Sequence, residues 1–327
     1  MNRREALLAM LTLGAPPLAA MLTFPVLAQT WPTKPIKLIV PYPPGGQTDI
    51  VSRYLAEKLG PVFSQTILVE NRPGAQGIVG IEAAKNSASD GYAFVYVNAS
   101  NICINPYLYE NLPYDTLRDF VPVTQLGIVS LAMVVAAALY INTLPEFIAY
   151  AKANPGKVSF ASFGTGSASH IFGEMLNGLA GIDMTHVPYK GAAPALQDIM
   201  AGHATMGIHD LAAAGPFVRS GRLVALALSG PQRWPLFPDL ATFAEQGYPI
   251  EMAGWNGIFA PVGTPRAIVE RMGAEINRII QSPAGREQIL KFGLLATGTT
   301  SEEYSAIIRR DSARWGDVIR KARIKAE

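Results

Sequence analysis

From Ile36 onward, short apolar runs alternate with segments of helical period, and this alternation is what most restricts the fold. Ile36 to Val40, Ile67 to Glu70, Ala93 to Val97, Val158 to Ala161 and Leu223 to Leu228 read as strands. Thr48 to Leu59, Ile78 to Lys85, Leu144 to Lys152, Ser169 to Leu179 and Ala192 to Met200 read as helices. Two long amphipathic helices, near Thr264 to Ile280 and Ser301 to Ile319, close the chain. Strands separated by helices of this length call for crossover connections, so the expectation is an α/β protein with largely parallel sheets. A length of 327 residues fits two domains of ordinary size.

Two stretches are candidates for the chain passing between domains. Phe120 to Pro145 carries no charge, but its apolar heart, Leu126 to Ile141, falls short of the roughly 20 residues of a membrane-spanning helix. It reads as two successive buried strands, with Val134 and Val135 in the second. Glu251 to Pro265, with Gly254, Gly257, Pro261, Gly263 and Pro265, is the other crossing. Two crossings make the first domain discontinuous, 29–125 plus 255–327, around a second of 126–254. Such a double connection suits hinged closure on a ligand.

Arg3 and Arg4 precede a stretch, Ala6 to Ala28, with no charge and a Val26-Leu27-Ala28 ending. This is the pattern of a secretory signal, 1–28, cleaved on export. Pro16, Pro17 and Pro25 argue against one continuous membrane anchor. The arginine pair is a weak match to a twin-arginine signal, so the Sec route is favoured. Cys103 is the only cysteine, which excludes a disulfide framework. With 27 basic and 25 acidic residues and no block of one sign, the footprint of a nucleic-acid binder is missing.

Three loops can carry chemistry. Pro41 to Asp49 follows a strand and opens a helix; Tyr42 lies in it, Gly45 and Gly46 permit close backbone approach, and Gln47 leads to Thr48 or Asp49 as a helix cap. Free N–H groups there would suit an anion, a carboxylate at least as well as a phosphate, since the lysine of a nucleotide P-loop is absent. The alternative is a plain capped turn. The second loop, Phe163 to His170, has the same strand-to-helix setting and offers the hydroxyls of Thr165, Ser167 and Ser169. It lacks the G-x-S-x-G elbow of a serine hydrolase. The third, His186 to Gly191, reads either as a pocket edge with Tyr189 and Lys190 or as a surface turn. His170, His186, His203 and His209 lack the spacing of a metal site, and no cofactor is indicated.

Taken together, these loops resemble the substrate-binding proteins of the tripartite tricarboxylate transporters, the Bug-type extracytoplasmic receptors. The resemblance runs over the whole mature chain. It rests on Trp31-Pro32 and Pro35-Ile36, the Pro41 to Asp49 loop, Val69 to Ala75, Asp90-Gly91-Tyr92, and Ile104-Asn105-Pro106. It continues through Leu112 to Asp115, Asp119-Phe120, Ser169-His170, His186 to Gly191 and Phe259-Ala260-Pro261. It implies a periplasmic-binding-protein fold, two α/β domains around a cleft, and a monomeric periplasmic receptor for a small organic acid rather than an enzyme. A membrane transporter partner is implied as well. Carried over, the ligand carboxylate lies between Gly45, Gly46, Gln47, Thr48 and Asp49 of the first loop and Gly166, Ser167, Ala168 and Ser169 of the second. Asn98 and Ser100 are candidates for specificity. Where many members carry an acidic residue facing the cleft, this chain has His209, followed by Asp210. An inward imidazole would favour a ligand with a second acceptor group. A sensory adaptor for a membrane sensor and an exported hydrolase are the rival readings.

Overall fold

The structure, a computed structural model, describes residues 31–322 and 324. The segment read as an export signal lies outside them. The elements begin with β1 (Ile36–Val40), α1 (Gln47–Phe63), β2 (Ile67–Asn71), α2 (Ile78–Lys85) and β3 (Ala93–Asn98). The short helices α3 (Asn105–Leu108) and α4 (Thr116–Asp119) lead to β4 (Phe120–Val129) and β5 (Leu131–Ala136). Then come α5 (Leu144–Ala153), β6 (Ser159–Ser162), α6 (Ala168–Ala180), β7 (Thr185–Pro188), α7 (Ala192–Ala201), β8 (Met206–Asp210), α8 (Leu211–Arg219) and β9 (Leu223–Leu228). The chain closes with β10 (Gly254–Pro261), α9 (Arg266–Gln281), α10 (Pro283–Lys291), β11 (Leu295–Ala296) and α11 (Ser301–Ala322).

Two sheets form, in the orders β11-β4-β10-β3-β1-β2 and β7-β6-β8-β5-β9. The βα units pair in parallel as expected: β1 with β2 and β3, and β6 with β7 and β8. The sheets are nevertheless more mixed than the expected largely parallel arrangement. The cause is the double crossing. β4 leaves the first sheet and continues into β5 after Ser130 alone; β9 ends in the second sheet and the chain returns as β10. Outgoing and returning strands run in opposite directions, so β4 pairs antiparallel with β10, and β5 with β9. The crossings are tied to each other: the Ser130 hydroxyl donates to the Ser229 carbonyl (2.6 Å), and the Leu131 N–H donates to the Ser229 hydroxyl (3.0 Å).

Local chemistry sets where the helices start. Thr143 and Glu146 form a reciprocal capping box at α5, with Pro145 in its first turn. Apolar faces then decide the layers. Ala132, Val134 and Ala161 of the second sheet meet Leu196 and Ile199 of α7 and Leu211 and Ala214 of α8 in one core. In the first sheet, Gly257 of β10 faces Tyr304 of α11, whose hydroxyl would stand 2.1 Å from a Cβ at 257. The same helix reaches the second sheet's layer, where Trp315 packs on Phe172 of α6 with ring centroids 5.3 Å apart. From Pro32 onward the described chain packs as one unit.

Candidate functional site

The first loop is organised from beneath by Asp49. Its carboxylate, 3% exposed, accepts from the Gly45 N–H (3.0 Å), Arg53 Nε (2.9 Å) and Asn71 Nδ2 (3.0 Å). The Arg53 hydrogen bond holds its pKa below the usual carboxylate value against the opposing effect of burial, with Gly45 and Asn71 assisting. Asp49 therefore shapes the loop and has its acceptors occupied. Neither it nor Thr48 caps α1, contrary to expectation: both lie inside the helix, Gly46 is the N-cap, and no side chain bonds the helix start. The exposed Gly45-Gly46 turn thus leads into an uncapped helix start, an arrangement that favours an anion. Gln47 turns its side chain elsewhere, donating to the Phe292 carbonyl (2.8 Å) and accepting from Asn256 (3.0 Å). Asp49→Asn should cost about 1–3 kcal/mol, because an amide nitrogen would face a donor. Urea unfolding measures this, and an unchanged midpoint would remove the organising role.

A side-chain network runs behind this loop. Asn98 donates to the Tyr42 hydroxyl (2.7 Å), which donates to Asn101 Oδ1 (3.2 Å). Burial pushes the Tyr42 pKa up to about 12, against the lowering effect of both asparagines. Asn101 Nδ2 in turn donates to the Gln76 carbonyl (2.9 Å). Ser100 opens a short π-helical segment, Ser100–Ile104, and is half-buried.

In the second loop, Gly164 and Gly166 have φ of +137° and +75°, conformations that glycine tolerates. Ser162 accepts from the Gly164 N–H and donates to its carbonyl (3.1 Å each), and its hydroxyl lies 2.7 Å from His186 Nε2. The Gly166 N–H donates to His170 Nδ1 (3.0 Å), which requires that nitrogen to be unprotonated. His170 and His186 stack face to face, centroids 3.7 Å apart, with Phe160 against both. Burial lowers both imidazoles to about 4, His186 with a contribution from His170, so both are neutral at pH 7. Ser167 caps α6 by accepting from the His170 N–H (3.3 Å). Ala168 and Ser169 are buried, and the Ser169 hydroxyl has no partner among the described residues. Thr165 is half-buried at the loop tip.

The second loop is approached by two segments that follow strands of the first sheet, the Ala75–Gly77 turn after β2 and α3 after β3. A Cβ on Gly166 would meet Leu108 Cδ1 at 2.2 Å, and one on Gly164 would meet Gln76 Nε2 at 2.9 Å. Tyr42, Asn98 and the second loop thus converge through Asn101 and Gln76. Neither of these two was foreseen. The Asn71-Arg72-Pro73-Gly74 run ahead of Gln76 has the composition of a turn and nothing more, and Asn101 sits between the candidate Ser100 and an apolar run without a signal of its own.

Three candidates are committed elsewhere. The Tyr189 hydroxyl donates to Asp198 (2.7 Å) of α7. Asp210 caps α8, accepting from the Ala213 N–H (2.9 Å), and burial raises its pKa against that bond. His209 does not open onto a cleft: it is 0% exposed, beside Phe163 and Ile199 and over Gly207. Alternation along β8 puts Gly207 and His209 on the α7 face. Among the described residues neither ring nitrogen has a hydrogen-bond partner of good geometry, and burial lowers the pKa to about 4, with the Ala161 backbone acting the other way. Among the described residues no group of three His, Cys, Asp or Glu is placed to hold a metal ion.

Comparison with known proteins shows the family of the chain. Residues 51–324 match the family described as the tripartite tricarboxylate transporter family receptor. The chain belongs to that family. Its relatives include BugT of Bordetella pertussis, 36% identical over 303 residues, covering 92% of this chain and 93% of BugT. A protein from the tcbD-tcbE intergenic region of a Pseudomonas species is 34% identical, covering 90% of this chain and 88% of that one. Among solved structures, an R. palustris protein with adipate has a TM-score of 0.84 at 30% identity, covering 90% and 99% of the two chains. MatC from Rhodopseudomonas palustris with bound malate has a TM-score of 0.78 at 28% identity, covering 88% and 100%. The chain is therefore a solute-binding protein with the periplasmic-binding-protein fold.

Proposed function

We propose that this receptor captures a small dicarboxylate in the periplasm and presents it to the membrane subunits of a tripartite tricarboxylate-type transporter, without converting it. The ligand site lies between the Gly45 to Thr48 turn and the Gly164 to Ser167 loop, in a cleft between domains of 29–125 plus 255–327 and 126–254. The observation that carries this is the uncapped start of α1 behind the exposed Gly45-Gly46 turn, with the Gly164 to Ser167 loop joined to it through Tyr42, Asn101 and Gln76. Backbone N–H groups and a helix start suit a carboxylate. Relatives solved with adipate and malate support an acid of that kind. The antiparallel double crossing at Ser130 and Ser229 would serve as the hinge.

A thermal-shift panel of mono-, di- and tricarboxylates, amino acids and sugars tests the reading. At 100 times its dissociation constant, a ligand stabilises by about 2.7 kcal/mol. That corresponds to a rise of about 5–10 °C. Ligand-free protein that responds to no carboxylate would end the carboxylate reading. Turnover of a responding compound would move the assignment to an enzyme.

A further inference from the structure

Gln76 stands on backbone that its side chain does not favour. Gly74, Ala75, Gln76 and Gly77 have φ of +144°, +43°, +52° and +88° in succession. Ala75 and Gln76 are two of only four non-glycine residues with positive φ among the described residues. Each such residue costs on the order of 1 kcal/mol, and the cost persists only where the surroundings impose it. Here they do. Asn101, fully buried, holds the Gln76 carbonyl (2.9 Å) with its Nδ2, while its Oδ1 is fixed by the Tyr42 hydroxyl and the Asn98 N–H. The same Nδ2 lies where a Cβ at position 77 would be, 2.6 Å away, so Gly77 is required beneath it.

The clamp delivers one polar group. The Gln76 side chain is exposed, its amide has no hydrogen-bond partner among the described residues, and its Nε2 lies over Gly164 of the second loop. A carboxamide there offers two N–H donors and one acceptor. It sits on a different element from the backbone N–H groups of the first loop, so it addresses a separate part of whatever those groups hold. We propose that Gln76 is a specificity-determining residue whose amide hydrogen-bonds a second polar group of the ligand, its distal carboxylate or a hydroxyl. This rests on the carboxylate-receptor reading. Strained backbone, a buried clamp and an unpaired amide at the meeting of two loops share this one explanation; a merely structural glutamine would need none of them.

The test compares the wild type with Gln76→Gly and Gln76→Leu by calorimetry and thermal unfolding, using succinate, malate and adipate with butyrate and hexanoate as single-carboxylate controls. Glycine accepts positive φ, so Gln76→Gly should unfold at or above the wild-type temperature. Losing a hydrogen bond to a charged group weakens binding by about 10- to 100-fold. That loss is expected in both variants for the tightest-binding diacid, with butyrate and hexanoate binding changed less than about twofold. Diacid affinity unchanged in both variants overturns the proposal. Equal losses for mono- and diacids, or a lower unfolding temperature for Gln76→Gly, overturn it too by making the residue structural. Wild-type protein that binds no acid overturns instead the receptor reading on which the proposal rests, and is recognised because the wild type itself then gives neither binding heat nor a thermal shift with any acid.

Discussion

Stability should fall by several kcal/mol between pH 6.5 and pH 4, a loss that begins above the range in which ordinary carboxylates protonate. His170, His186 and His209 are each lowered by burial to about 4. Each is neutral in the fold and charged in the unfolded chain within that window. The unfolded state then binds more protons, so the stabilising contribution is complete above the unfolded pKa of about 6.5 and is lost as pH falls toward 4. For fully buried His209 alone this difference is worth about 3 kcal/mol. Two carboxyls act in the opposite sense, since burial raises Glu174 and Asp210 and protonation relieves them. Asp119 is raised by burial but held at about 2 by the Asp115 N–H, Lys85 and Arg118, so its contribution is lost only at lower pH. Urea titrations at pH 7, 5.5 and 4.5 measure the effect. His209→Leu removes two unpaired ring nitrogens from an apolar site. It should hold or raise stability at pH 7 and flatten the acid limb. An acid limb identical to the wild type would acquit His209.

Trp315→Ala is the second large effect, a loss of about 3–5 kcal/mol. Trp315 is 1% exposed and rests on Phe172 of α6, while Tyr304, about three turns earlier on α11, fills the space above Gly257 of β10. One helix thus serves the layers of both sheets. Truncating Trp315 removes the larger ring of the contact between α11 and α6. The urea midpoint reports the loss; a change below about 1 kcal/mol would show that the site collapses around the gap.

The strands and helices that recur as βα units were legible because burial on a sheet and on a helix face leaves periods of two and near four. The returning strand was not. β10 looked like a hinge because of Gly254 and Gly257, yet Gly257 is there because the Tyr304 hydroxyl occupies the place of a Cβ. β7 looked like a loop because of Pro188, which an edge strand accepts. In the site, glycines and hydroxyls announced the two loops. What each side chain does there depends on partners far along the chain: Asp49 on Asn71, Gln47 on Asn256 and Phe292, Asn101 on Tyr42 and Gln76. The buried direction of His209 follows from its parity on β8, which is fixed only once the strand's neighbours are known.

The place of β10 has a consequence for the order of assembly. It lies between β3 and β4, which never pair with each other although both are complete by residue 129. A nascent chain therefore carries two open strand edges in the middle of its first sheet until residues 254–261 arrive. Every strand of the second sheet has been made by residue 228, so that sheet can close first. Such edges are templates for association with other chains, and pairing across this sequence distance is slow. The first half of the molecule must wait, unfinished, for a strand that comes after the whole of the second.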